Sequence, residues 1–351
     1  MCQVKVLFRV DAGQEIGSGH FMRCRILAHA LREREVQTGF ITSTADNPFI
    51  AEAKTEKYPV VTLPKEKAED AETLIQAVQD RNLECKLIVV DDHRDGFHSV
   101  GFQNTVRQAG VKLMMISFRH DCHFVADVVH NQNLLALERD YSADNHTDLL
   151  LGPRYAVLKQ DFQDLQTEDV SVPERARTVL VTFGGADYTN QTRKVVAALG
   201  KADLTLEKVT VVVGGMYPNP AKLDSYLNTL TDLGTELHVN TPNMPKLMAA
   251  SDLAISSGGL TAWELACLGV PNMILSTADA ERETGQLLHE REAAYFIGHQ
   301  SEVTTGNIIR DVTRLVKDQH YRQQLSITSR EMVDGYGTTR VADCIESIIS
   351  K

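Results

Sequence analysis

The chain has no cysteines paired at short spacing. Its six cysteines (Cys2, Cys24, Cys85, Cys122, Cys267 and Cys344) are scattered over 351 residues without one C-x-x-C pair, which argues against a disulfide framework and a zinc ribbon. No metal ligand set and no cofactor motif is expected. No apolar run approaches the roughly 18 residues that a membrane span needs, so no membrane partner is expected either. The start, "MCQVKVLFRVDAG", lacks a charged stretch leading into an apolar one, the mark of a secretory leader, and a cytoplasmic protein is the expectation. Positive charge is also short: 36 Lys and Arg stand against 47 Asp and Glu, a net charge of −11. That balance disfavours a nucleic-acid partner. It leaves room for a small phosphorylated ligand, because backbone N–H groups at a helix start bind phosphate without help from net charge.

What is present is ample core-forming material, with 43% hydrophobic residues. At this length two domains are the starting expectation. Buried-strand candidates recur as "KVLFRV", "TGFIT", "LIVVD", "KLMMIS" and "VADVVH", with helical stretches between several of them. This βαβ rhythm predicts a mostly parallel α/β sheet covered on both faces. Residues 151–175, with Gly, Pro and many charges, read as a linker between a domain over 1–150 and one over 176–335. The rhythm restarts there with "RTVLVTFGG", "KVTVVVGG", "TELHVN", "DLAISSGG" and "PNMILS", and 336–351 reads as an amphipathic closing helix. Three of the later strands end in Gly-Gly, where ligands bind in open α/β sheets.

Two loops carry chemistry. In the second half, "DLAISSGGLTAWELACLG" reads as strand, glycine turn and helix. Ser257, Gly258, Gly259 and Leu260 bring the backbone close to a ligand, and the positive helix end favours an anion such as a diphosphate. Thr261 adds a hydroxyl, and Glu264, a turn further on, reaches for ribose hydroxyls. Gly184 and Gly185 of "TFGGAD", Gly215 of "VVVGGMY" and Met244 are further nucleotide contacts in this reading.

In the first half, "DAGQEIGSGHFMRC" places Gly17 and Gly19 before His20. No third glycine follows and no acidic residue ends a second strand, so the dinucleotide fingerprint fails. What remains is a turn presenting His20 at a helix start, through a helix supported by Met22, Ile26, Ala30 and Leu31. The positive helix end favours the neutral imidazole, which suits a general base; read alone, the loop also fits a histidine that merely caps its helix. Arg23 is expected to face the same cleft, and Asp11 to fix the His20 tautomer or hold a sugar hydroxyl. Asp91 and His93 of "VVDDHRD" are expected to touch substrate.

Together, "FRVDAGQEIGSGHFMRC", "HNQNL", "LLGPRYAVLKQDF", "TFGGAD" and "DLAISSGGLTAWELACLGVP" resemble the UDP-sugar hydrolases of pseudaminic acid biosynthesis and the related spore-coat polysaccharide proteins. The resemblance implies a GT-B fold, two Rossmann-like domains facing each other across a cleft. It implies metal-independent hydrolysis of a UDP-linked diacetamido-trideoxy hexose at its anomeric carbon, giving UDP and free sugar for nonulosonic acid synthesis. His20 would be the catalytic base, and Ser257 to Thr261 with Glu264 would hold the nucleotide. The sequence departs from the family where the sugar should sit: His93 stands in place of a tyrosine, and Ala280 and Glu281 in place of Asn-Gln. Two other readings use the same residues: a GT-B glycosyltransferase with a UDP-sugar donor, and a nucleotide-sugar sensor without turnover.

Overall fold

The computed structural model describes residues 4–13, 19–44, 47–81, 83–166 and 171–350. The chain divides into two compact units, Met1–Leu158 with Tyr336–Lys351, and Lys159–Gly335.

Unit 1 contains β1 (Val6–Val10), β2 (Thr38–Thr42), β3 (Val60–Thr62), β4 (Leu87–Asp91), β5 (Lys112–Ile116), β6 (His123–Phe124), β7 (Val128–Asn131), β8 (Ser142–Ala143) and β9 (Asp148–Leu151). Seven of them form one sheet in the order β3-β2-β1-β4-β5-β7-β9, and β6 pairs with β8 apart from it. Every pairing in the large sheet is parallel. β1, β2 and β4 are buried at every position, as expected for strands covered by helices on both faces. Val6, Phe8 and Val10 point into one core with the helix Gly19–Glu33, while Leu7 points into another with the helices Ala71–Gln79 and Val100–Gln108. Arg9 shares the Leu7 side by strand alternation and is fully buried.

The helix Gly19–Glu33 forms as its sequence indicates, but with a different inner face. Phe21, Cys24, Leu27, Ala28 and Leu31 are buried, whereas Met22, Ile26 and Ala30 are only partly so. Cys24 packs as a small apolar residue, and this rotates the buried stripe by one position. The same core takes in Val341, Ala342, Ile345, Ile348 and Ile349 of the helix Gly337–Ser350. The chain therefore leaves unit 1 after Leu158 and returns to it at Tyr336.

Residues 148–151, partly inside the stretch read as linker, form the edge strand β9, and a short helix follows at Gln160–Asp164. The strand expected at "VADVVH" starts at Val128, because the Asp127 carboxylate instead accepts the Leu113 N–H and the Lys112 ammonium.

Unit 2 contains β10 (Thr178–Thr182), β11 (Lys208–Val213), β12 (Thr235–Val239), β13 (Leu253–Ser256), β14 (Asn272–Ser276) and β15 (Tyr295–His299). Their order, β12-β11-β10-β13-β14-β15, is the Rossmann order 3-2-1-4-5-6. β15, "YFIGH", escaped the sequence reading, since every one of its positions is half-buried and its apolar signal is diluted. In both sheets the strand order reverses beside the first strand, between β1 and β4 and between β10 and β13. The carboxyl ends of those strands are where such sheets bind ligands.

Candidate active site

At the first reversal point β1 hands over to Asp11 and β4 ends on Asp91, with Val10 and Asp91 in register. Three residues of one helix face converge on Asp91. His20 Nδ1 lies 2.6 Å from Asp91 Oδ1. Arg23 donates from Nε to Oδ2 at 2.9 Å and from Nη2 to Oδ1 at 2.7 Å. The Cys24 thiol donates to Oδ2 at 3.5 Å. Helical spacing i, i+3, i+4 brings these three side chains to one spot.

The Asp91 side chain is wholly buried, and that of His20 is 19% exposed. Burial pushes the Asp91 carboxyl up, but Arg23 and then His20 outweigh it and hold it below the ordinary carboxylate range. A carboxylate so held accepts the Nδ1 proton and leaves Nε2 as the basic nitrogen. Among the described residues His20 Nε2 has no hydrogen-bond partner. This is the arrangement of a general base oriented by an acid.

Three sequence expectations are corrected here. Asp91, expected to touch substrate, has no exposed side-chain surface and gives its carboxylate to His20, Arg23 and Cys24. Asp91, not Asp11, fixes the His20 tautomer. Asp11 is itself buried and committed: it accepts from Arg9 Nη2 (2.9 Å), Thr42 Oγ1 (3.0 Å), Ser43 N (2.6 Å), Ser43 Oγ (2.8 Å) and Arg94 Nη2 (2.5 Å). It fastens the edge of β1 to the loop after β2 and to Arg94, with no side-chain surface left for a sugar hydroxyl. Arg23, expected to face substrate, spends its guanidinium on Asp91. Burial pushes its pKa down and Asp91 pulls it up further, so it stays a cation. Gly17 lies outside the described residues. Gly19 opens the helix that carries His20.

His93 stands beside His20, ring centroids 4.8 Å apart, and Phe118 beside His93 at 5.4 Å. Burial and then the neighbouring His20 lower the His93 pKa. Phe118 was not singled out in the sequence, because a lone aromatic after a buried strand carries no pattern.

At the reversal point of unit 2, β13 runs into Ser257, Gly258 and Gly259, and the helix Leu260–Leu268 starts with no side-chain cap. Its first N–H groups are thus presented for an anion. A Cβ on Gly258 would lie 3.0 Å from Glu281 Cβ and 3.1 Å from its carbonyl, so the loop is pressed against the next helix, Asp279–Glu290. The Glu281 carboxylate accepts from Thr277 N at 2.8 Å and Thr277 Oγ1 at 3.1 Å. Thr261 is partly exposed on the first turn. Burial raises the half-buried Glu264 to about 7, with Lys159 working in the other direction. No hydrogen bond to another described residue engages its carboxyl, which leaves it open to hydroxyl donors.

Gly184 (φ +75°) has open space where a side chain would be. Gly214 is required for packing, because a Cβ there would run into the Gly185 backbone, and Met216 N donates to the Gly185 carbonyl. Gly215 lies against the Asn240 side chain. Met244 begins the short helix after β12. Trp263 is buried in the core. Among the described residues no group of three or more His, Cys, Asp or Glu is placed to hold a metal ion, and no helix is long and apolar enough to cross a membrane.

The fold is α/β of the GT-B type, two Rossmann-like units in one chain. Residues 178–342 match the glycosyltransferase family 28 C-terminal domain. Over 340 residues the chain is 24% identical to the spore coat polysaccharide biosynthesis protein SpsG of Bacillus subtilis, covering 96% of each. Over 261 residues it is 25% identical to the UDP-2,4-diacetamido-2,4,6-trideoxy-beta-L-altropyranose hydrolase of Campylobacter jejuni, 73% of this chain and 86% of that one. The crystal structure of Acinetobacter baumannii MurG superposes with a TM-score of 0.69 at 14% identity, covering 98% of this chain and 99% of that one.

Proposed function

We propose that this protein is a UDP-sugar hydrolase of nonulosonic acid synthesis. The observation that carries the proposal is the His20–Asp91 pair, with Nδ1 held at 2.6 Å and the opposite nitrogen unpartnered among the described residues. The likeness to the Campylobacter jejuni hydrolase supports the substrate class, a UDP-linked diacetamido-trideoxy hexose. In this reading Ser257 to Thr261 receive the diphosphate at the helix start, with Gly184, Gly185, Gly215 and Met244 around the nucleotide and Glu264 on the ribose. Water attacks the anomeric carbon and its proton passes to His20 Nε2. The bond from that carbon to the diphosphate oxygen breaks, and UDP leaves with the electron pair. The uncapped N–H groups of the unit 2 loop meet the charge that grows on the leaving group.

A glycosyltransferase is the second reading, favoured by the family 28 match over residues 178–342. There His20 takes its proton from an acceptor hydroxyl instead of water. Turnover of a UDP-sugar panel in ¹⁸O water tests the first reading. Label on the sugar with release of UDP is expected. Label on the phosphate, or turnover that needs an added acceptor, would overturn it.

Glu264 gives a pH signature. The carboxylate accepts from ribose hydroxyls more strongly than the neutral acid, so a carboxyl raised to about 7 is expected to give up its proton when UDP binds near neutrality, and binding tightens as pH rises through 7. In the free protein the sign is opposite: between the ordinary value of 4.5 and about 7, stability falls as pH rises. Calorimetry in buffers of differing ionisation heat reads the proton release, and Glu264→Gln is expected to abolish it.

A further inference from the structure

We propose that Phe118 and His93 form the platform that seats the apolar face of the sugar bonded to the nucleotide, beside His20. This rests on the reading of the site as one for a nucleotide sugar.

Phe118 is 50% exposed, and what distinguishes it from a singly exposed apolar residue is its place beside His93. The loop that carries it is fastened on both sides. Ser117 N donates to the His130 carbonyl. His98 donates from Nδ1 to the Arg94 carbonyl at 3.0 Å, so its Nε2 accepts from Ser117 Oγ at 2.7 Å. The Ser117 hydroxyl oxygen in turn accepts from Arg119 N at 3.0 Å, and Arg119 is tied to Asp95 and Asp121. These bonds hold the backbone on both sides of Phe118.

The ring is not an isolated apolar residue on the surface. It contacts His93, which contacts His20, in a row with centroid steps of 5.4 and 4.8 Å. Burial and His20 keep His93 toward its neutral form, so its ring offers an uncharged face. The phenyl and the imidazole are tilted to each other by 41°, so Phe118 and His93 present two angled π faces, the nearer one beside the proposed base. The C–H face of a pyranose ring is the matching shape, and a sugar seated there lies beside His20.

Phe118→Ala and Phe118→Tyr are each made in a His20→Ala background, in which turnover is expected to be about 10²–10⁴-fold slower. Calorimetry then measures UDP and UDP-2,4-diacetamido-2,4,6-trideoxy-β-L-altropyranose. Phe118→Ala is expected to weaken the UDP-sugar about 3–10-fold, to leave UDP unchanged, and to be rescued by Phe118→Tyr. Equal affinity with and without the phenyl ring overturns the platform, as does equal weakening of UDP and UDP-sugar. If the His20→Ala parent binds UDP but gains nothing from the sugar, the platform falls. If the parent still turns the sugar over while Phe118→Ala weakens its binding, the platform stands and the role given to His20 falls.

Discussion

His20→Ala is expected to lower turnover by about 10²–10⁴-fold, the usual worth of a general base, while the Kd for UDP stays unchanged. The split follows from geometry. His20 belongs to unit 1, whereas the loop given to the diphosphate lies in unit 2. Its ring is only 19% exposed and its one strong partner is Asp91, so removal takes away a proton acceptor and no ligand for the nucleotide. Asp91→Asn extends the test. An amide in that place can donate as well as accept, which allows the other tautomer and points a proton where the base needs a lone pair. A loss of similar size is expected, again in kcat rather than KM. Asp91→Asn also leaves Arg23 as a buried cation without its anion, so thermal stability is followed alongside. Full activity in the His20→Ala protein would remove the base from the mechanism.

Arg9→Leu is expected to destabilise unit 1 by about 3–5 kcal/mol, the scale for removing one partner of a buried ion pair. Both side chains of the Arg9–Asp11 pair are wholly buried, and Arg9 also donates to the Ala68 carbonyl at 3.0 Å. Leucine fits the strand but leaves the Asp11 carboxylate with only Arg94 as a cation. The pair also sets an acid limit. Burial pushes Asp11 up, but hydrogen bonding and charge from Arg9 outweigh it and hold the carboxyl below its ordinary value of 3.8. A lowered folded-state value means stability that is present above that ordinary value and lost as pH falls below it. The single tryptophan, Trp263, lies in unit 2 and reports on that unit during denaturation, while circular dichroism reports on both. The expected signature of Arg9→Leu is a circular dichroism transition at lower denaturant, ahead of the tryptophan signal. An unchanged midpoint would show that Arg94 and the loop hydroxyls suffice to hold Asp11.

Most of the fold was legible because buried parallel strands are short, apolar and bounded by turns. "VLFRV", "LIVVD" and "LAIS" coincide with β1, β4 and β13. The strands that escaped notice, β3, β6, β8, β9 and β15, are only partly buried and lose the apolar signal on which the reading depends. The site was legible in its residues and less so in their pairings. His20, Arg23 and Asp91 were each singled out, but Asp91 is 71 positions from His20 and nothing local announces that the two meet. The Gly-Gly strand ends carried two causes under one pattern. Gly258 and Gly259 shape the turn before a helix, with Gly258 pressed against Glu281, whereas Gly214 lets two strand ends touch at Gly185.

The return of the chain to unit 1 has a consequence for the order in which the protein is made. Synthesis runs from the N-terminus, so all of unit 2, Lys159–Gly335, emerges before the helix Gly337–Ser350 that completes unit 1. During that interval the apolar side of Phe21, Leu27 and Leu31 lacks Val341, Ile345 and Ile348, which share its core in the finished protein. Unit 1 begins before unit 2 and is completed after it, so the nascent chain carries an uncovered apolar face until the helix Gly337–Ser350 has left the ribosome.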